Sequence, residues 1–235
     1  MPGDSVDGVV GVGDLGPACV SAQSAVRTVC KGVGVALALT LFATLSQCVA
    51  RAVLATDLVG WGVASWLFGY ALADLLSGVV HWACDNFGSE RTPLLGGLLI
   101  KPFREHHVFP ERITRCRLIE QDTGNFFLLI PVLAGVLVQG SAQSPSAILA
   151  QAMLLGLVGG TFCTNLFHRW AHSSEPPRVV RGLQRLGLIL NPSRHAVHHR
   201  DHSRSYCVTT GWLNPVLDGL QFFPRLQRMI DRRMQ

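Results

Sequence analysis

A chain of 235 residues with 49% hydrophobic and only 15% charged side chains lacks the polar surface of a soluble globule of that size. The 20 basic and 15 acidic residues are also unevenly spread, with none between 32 and 50 or between 123 and 167, which excludes a disordered chain and points to a membrane. The net charge of +5 comes with 18 Arg and two Lys, and all nine His fall after residue 80.

Residues 1–28 are rich in Gly, Val and Ser, carry Asp4, Asp7 and Asp14, and lack a basic start. Neither a cleaved signal nor an Arg-rich transit peptide is indicated, so the segment reads as a flexible tail ahead of one membrane domain over 29–235. A hydrocarbon core of about 30 Å is crossed by about 20 apolar residues of helix. Residues 32–50, framed by Lys31 and Arg51, make the first crossing, and 58–81, interrupted only by Asp74, the second. The uncharged run 123–167 is too long for one helix, and SAQSPS at 141–146 is a turn signal, giving a hairpin of spans 125–140 and 147–167. The third span is short and contains Pro131.

Basic residues stay on the cytosolic side. With four spans, the N-terminus, the 82–124 loop and the 168–235 tail share one face and hold 19 of the 20 basic residues, all but Arg51. Three or five spans would split the arginines between faces. The expected fold is therefore an all-α integral membrane protein, four transmembrane helices under a cytosolic histidine-rich cap, with both termini cytosolic. RVVRGLQRLGLIL at 178–190 has a basic and an apolar side, which predicts an interfacial helix. Seven cysteines without paired spacing suit a reducing compartment, and Cys84, Cys116 and Cys207 read as small buried residues.

This topology gathers every histidine on one face. HWACD relates His81 and Asp85 as i, i+4; REHH presents adjacent His106 and His107, which diverge on a regular helix and reach two different centres or require a bend; HRWAH stacks His168 and His172. RHAVHHRDH places His195, His199 and His202 on one stripe with His198 beside it. A neutral imidazole needs an acceptor or a metal, and one tetrahedral ion takes three or four ligands, so this set implies two metals. Imidazole serves iron, copper and zinc alike. No Glu-x-x-His pair of the soluble di-iron bundles is present. Asp85 is expected to orient His81 or to bind metal directly. Asp74, costly in lipid, is expected to face the site or to hydrogen-bond Ser77 or a neighbouring helix.

DLLSGVVHWACDNFGS, KPFREHHVFPERITR, NLFHRWAH and SRHAVHHRDHSRSYCVTTGWLN, in that order, resemble the plasmanylethanolamine desaturase family, with the plant plastid fatty acid desaturase 4 as a cousin. The resemblance covers about residues 70–220. It implies a multi-pass enzyme of the endoplasmic reticulum membrane with two iron ions. Such an enzyme uses dioxygen, and electrons from cytochrome b5 and its NADH-dependent reductase, to form the vinyl ether bond of plasmalogens from an ether phospholipid. It further implies that His81, His106, His107, His168, His172, His195, His198 and His199 serve the metals, with His202 the weakest ligand candidate, and that no catalytic residue is needed beyond the metal ligands. Relatives carry His where this chain has Cys116. The alternative implied by the plastid cousin is a fatty-acyl desaturase or hydroxylase of a phospholipid. No nucleic-acid partner is expected. A metal transporter would place its ligands near the bilayer midplane, which this pattern does not do; a metal-stabilised scaffold without activity is the remaining rival.

Overall fold

A computed structural model describes residues 25–115, 118–140, 142 and 144–234, and every regular element among them is helical. The long helices are α1 (Ala25–Ala55), α2 (Val59–Asn86), α5 (Leu118–Val138) and α6 (Pro145–Ala171). The short ones are α3 (Lys101–Val108), entered through a π-helical turn at Gly96–Ile100, then α4 (Arg112–Arg115), α7 (Arg178–Arg185), α8 (Pro192–Arg200), α9 (Asn214–Gly219) and α10 (Phe222–Met234). α1 starts at Ala25, and residues 1–24, most of the segment expected as a tail over 1–28, lie outside the described residues.

Three helices are long and apolar enough to cross a membrane, over Thr28–Ala55, Val59–Asn86 and Pro145–Ala171. The apolar part of α5, Thr123–Val138, is shorter, and Pro131 inside it removes one backbone donor. Outward residues such as Val33, Leu37, Val63, Phe68 and Leu128 are large, apolar and exposed, the signature of helices solvated by lipid. The helices overrun the expected spans because no breaker stands at those limits. α1 runs on to a turn where Asp57 takes a left-handed conformation, φ 53°, and α2 continues past His81 to carry Asp85.

Without a hydrophobic drive between helices in lipid, close packing of small residues holds them together. α2 offers Gly69 and Ala73, and α6 offers Gly156 and Gly160, each pair one helical turn apart. A Cβ on Gly69 would lie 1.8 Å from the Met153 carbonyl oxygen, and one on Gly156 would lie 1.9 Å from that of Trp66. The two helices therefore run in parallel with backbones almost touching, and both end at the same side. α1 and α5 run the other way, with Gly34 against Phe127 near their starts. Their apolar core joins Leu45 and Val49 of α1, Leu133 of α5, and Leu155, Val158 and Phe162 of α6.

The C-terminal segment folds back onto the ends of α2 and α6. Residues 205–211 are buried without regular structure, so their backbone groups need side-chain partners. Asp74 supplies them: Oδ1 accepts from the Thr210 and Gly211 amides at 2.7 and 2.9 Å, and Oδ2 from Leu213 at 3.1 Å. Ser77 accepts from Val208 N–H, and the Thr164 and Thr209 hydroxyls pair at 2.8 Å. Asp74 thus holds the tail to α2 through its carboxylate, while the Ser77 hydroxyl donates to the Asp74 backbone carbonyl at 2.7 Å, so the expected bond to Ser77 is made through the main chain. The amphipathic helix expected over 178–190 is cut at Arg185, because Gly187 turns left-handed at φ 70°. Ile189 and Leu190 then go inward and are buried, with Leu190 N–H donating to Thr209.

Candidate metal centre

Four helices bring the histidines together. α2 and α6 end side by side because their small residues interlock, which places His81 and Asp85 beside His168 and His172. α3 starts with Pro102 in its first turn and presents His106 and His107. α8 is started by Asn191, whose Oδ1 accepts from Ser193 N–H, followed by Pro192, and presents His195, His198 and His199. Arg104 ties α3 to the end of α2 by donating to the carbonyls of Cys84, Phe87 and Gly88 at 3.1–3.2 Å. Those carbonyls have no partner within the helix.

The ligand atoms fall into two groups, each with its atoms within 4.8 Å of one another: His106, His168, His172, His195 and His199 in one, and His81, Asp85, His107 and His198 in the other. In the first, Nε2 of His195 lies 2.9 Å from Nε2 of both His168 and His199, and His106 Nε2 lies 3.0 Å from His199 Nε2. In the second, His107 Nε2 lies 3.3 Å from His81 Nε2 and 3.4 Å from His198 Nε2. Asp85 Oδ2 stands 3.4 Å from His107 Nε2, 3.5 Å from His81 Nε2 and 3.8 Å from His198 Nε2. The groups adjoin, with the rings of His107 and His199 5.7 Å apart between centroids.

These residues fit metal ions. Ligand nitrogens held by bonds of about 2.1 Å stand about 3.0–3.4 Å apart around an ion, which is the observed spacing. His81 Nδ1 donates to the Tyr206 carbonyl and His198 Nδ1 to that of Arg204, so both turn an Nε2 lone pair inward. Lone pairs facing one another repel unless a cation stands between them. Both oxygens of Asp85 and Nε2 of His172 are buried and accept no hydrogen bond. Burial first, then the neighbouring imidazoles, lowers the His106 pKa to about 2 and the His107 pKa to about 3. Burial likewise holds His172 and His198 down at about 4. These four imidazoles are thereby neutral at physiological pH, the form that binds metal.

The adjacent pairs His106 with His107 and His198 with His199 each divide between the two groups, as neighbouring side chains on a helix must. His202 belongs to neither group: α8 ends at Arg200, so the stripe expected to include it breaks, and its exposed ring instead lies 4.3 Å from that of His107. Asp74 also stands outside both groups. Among the described residues no cysteine joins them; Cys84 and Cys207 are buried and free, and Cys116 lies outside the described residues. Sequence reasoning missed the Arg204 and Tyr206 carbonyls and Arg104, since backbone acceptors leave no mark in the residue pattern.

Two clefts reach the groups. One of about 540 Å³ opens on His172, His195 and His199 between Glu111, Pro110 and Pro192. The other, about 250 Å³, opens on Asp85 and His107 between Asn86, Arg104, His202 and Tyr206.

Residues 70–235 match the family model described as the lipid desaturase domain. Over 165 residues the chain is 40% identical to the plasmanylethanolamine desaturase of Myxococcus xanthus, covering 70% of this chain and 58% of that one. It is 37% identical to plasmanylethanolamine desaturase 1 of Mus musculus, covering 75% and 66% of the two chains. It is also 37% identical to the chloroplastic fatty acid desaturase 4 of Arabidopsis thaliana, covering 68% and 48%. The chain thus spans about half to two thirds of the length of these relatives. No solved structure matches it. The matched region contains every clustered histidine and Asp85, and by that match the chain belongs to the lipid desaturase domain family.

Proposed function

We propose that the protein is a plasmanylethanolamine desaturase that forms the vinyl ether bond of plasmalogens with dioxygen, at two iron ions. The observation that carries this reading is the pair of adjoining donor groups, five histidines beside three histidines and Asp85. The bacterial and mouse relatives, both plasmanylethanolamine desaturases, supply the substrate of this reading. In this reading His106, His168, His172, His195 and His199 hold one ion, and His81, His107, His198 and Asp85 the other. When bound, the irons would supply the chemistry for oxidising an unactivated C–H bond with dioxygen. The chain's own residues orient the imidazoles through the Arg204 and Tyr206 carbonyls and keep them neutral by burial. The lipid-facing helices keep the alkyl chain out of water while its end meets the site.

The chain is placed in the endoplasmic reticulum membrane as one domain over 29–235, with α5 as a fourth crossing and both termini cytosolic. The even crossing number is supported by the opposed directions of the α1/α5 and α2/α6 pairs and by the position of Arg51 opposite the other basic residues. Cytochrome b5 with its NADH-dependent reductase is the proposed electron source on the cytosolic side. A second reading, desaturation or hydroxylation of a fatty-acyl chain, is favoured by the 37% identity to the chloroplastic relative. Expression in cells that lack plasmalogens, followed by lipid mass spectrometry, tests the choice. New vinyl ether phospholipids are expected; altered acyl unsaturation or hydroxylation without vinyl ethers selects the second reading.

A further inference from the structure

We infer that Asp218 is a positioning residue for one of the two metal positions, the one formed by His81, Asp85, His107 and His198, and that it acts through Ser205. The inference rests on the two-metal reading above. His198 Nδ1 donates to the Arg204 carbonyl at 2.7 Å and His81 Nδ1 donates to the Tyr206 carbonyl at 3.1 Å. These two acceptors flank a single residue, Ser205. Its φ of 59° lies in the left-handed region, unfavourable for any residue with a Cβ, so something must hold it there.

α9 does so. Asp218 Oδ1 accepts from Ser205 N–H at 2.9 Å, and Oδ2 accepts from its hydroxyl at 2.6 Å. One turn earlier on the same face, Asn214 Oδ1 accepts from Cys207 N–H at 2.8 Å and its amide donates to the Cys207 carbonyl at 3.0 Å. Asn214 and Asp218 therefore grip the residues on either side of Tyr206, and the carbonyls before and after Ser205 are fixed toward the two imidazoles. Both bonds set the tautomer that leaves Nε2 free for metal. In the five-histidine group Nδ1 of His106 and of His195 are buried without a partner, so these two rings are not oriented by such a carbonyl. Loss of the grip therefore acts on one metal position and spares the other.

The full chain in detergent, titrated anaerobically with ferrous iron alone, tests this. Wild type is expected to take two irons per chain. Asp218→Ala is expected to bind the first iron unchanged and the second about 10–100-fold more weakly, the usual effect of removing an outer-shell partner of a metal ligand. Asp218→Asn, which retains an acceptor for the Ser205 amide and offers a donor to its hydroxyl, is expected to restore the second site. Ser205→Ala removes only the hydroxyl bond and is expected to weaken the second iron by about tenfold. This milder change serves if Asp218→Ala does not yield a folded protein. A second site unaltered in Asp218→Ala, or in Ser205→Ala when that variant stands alone, overturns the inference. Equal weakening of both sites does so too. One iron in wild type overturns the two-metal reading and the inference with it, whereas two irons with an unmoved second site overturn the inference alone.

Discussion

A carboxylate whose two oxygens are buried and accept nothing loses its hydration without return, unless a cation faces it. Asp85 is in that position, and three imidazole nitrogens converge on the same point. This favours the ligand role over the orienting one, because His81 already has the Tyr206 carbonyl as its Nδ1 acceptor. Asp85→Ala, His168→Ala and His199→Ala are each expected to lower vinyl ether formation at least about 100-fold while helical content is kept, since in the proposed two-metal reading each would remove a ligand. His202→Ala is expected to retain activity within about tenfold. Lipid mass spectrometry of cells expressing equal amounts of each variant checks the ranking, and equal loss in all four contradicts it. The separation of His202 from its neighbours was not legible in the spacing, which puts it on the stripe with His195 and His199; the family resemblance ranks it weakest, and the end of α8 at Arg200 supplies the physical reason.

Among the elements, the α2/α6 pair decides the site, because both helices deliver their ligands from the same end. The close crossing depends on positions with no side chain. At Gly156 a Cβ would strike the Trp66 backbone, whereas at Gly135 of α5 it would meet nothing within 4 Å. Gly156→Ala is therefore expected to destabilise the protein by about 1–3 kcal/mol, as overpacking does. Gly135→Ala is expected to be neutral or slightly stabilising through helix propensity. Thermal unfolding of the two variants in detergent checks this; equal midpoints would show that the close crossing is dispensable. The helices themselves were readable from their apolar runs and the turn at 141–146, while their ends were not. Hydropathy marks where lipid begins, but a helix continues until its backbone bonds run out or a breaker intervenes. For the same reason the interfacial helix expected over 178–190 stops at Arg185: Gly187 ends it, and the tertiary position of Thr209 draws Leu190 inward.

For the whole molecule, the four-span arrangement predicts that Cys30 and the C-terminus lie on the cytosolic side and that Arg51 lies opposite. Single-cysteine variants at 30 and at 51, in a background stripped of the other cysteines, test it with a membrane-impermeant thiol reagent in sealed microsomes. Position 30 should label from outside the vesicle and position 51 only after permeabilisation. Labelling of both from outside would remove α1 as a crossing. The exposed apolar faces of α1, α2 and α5 match such a placement.

The sequence by itself determined that the chain is helical with stretches apolar enough to cross a membrane, that its histidines follow helical spacing, and that His106 and His107 diverge to two centres or require a bend. These follow from local physics: hydropathy over some 20 residues and the 3.6-residue turn. Only the tertiary structure decided which histidines share a centre and how they are held there. Asp74, Asp218 and the Arg204 and Tyr206 carbonyls act across gaps in sequence far longer than any helical turn. The reason is that a buried irregular segment must find partners for its backbone, and those partners are fixed by packing rather than by the residues beside them in the chain.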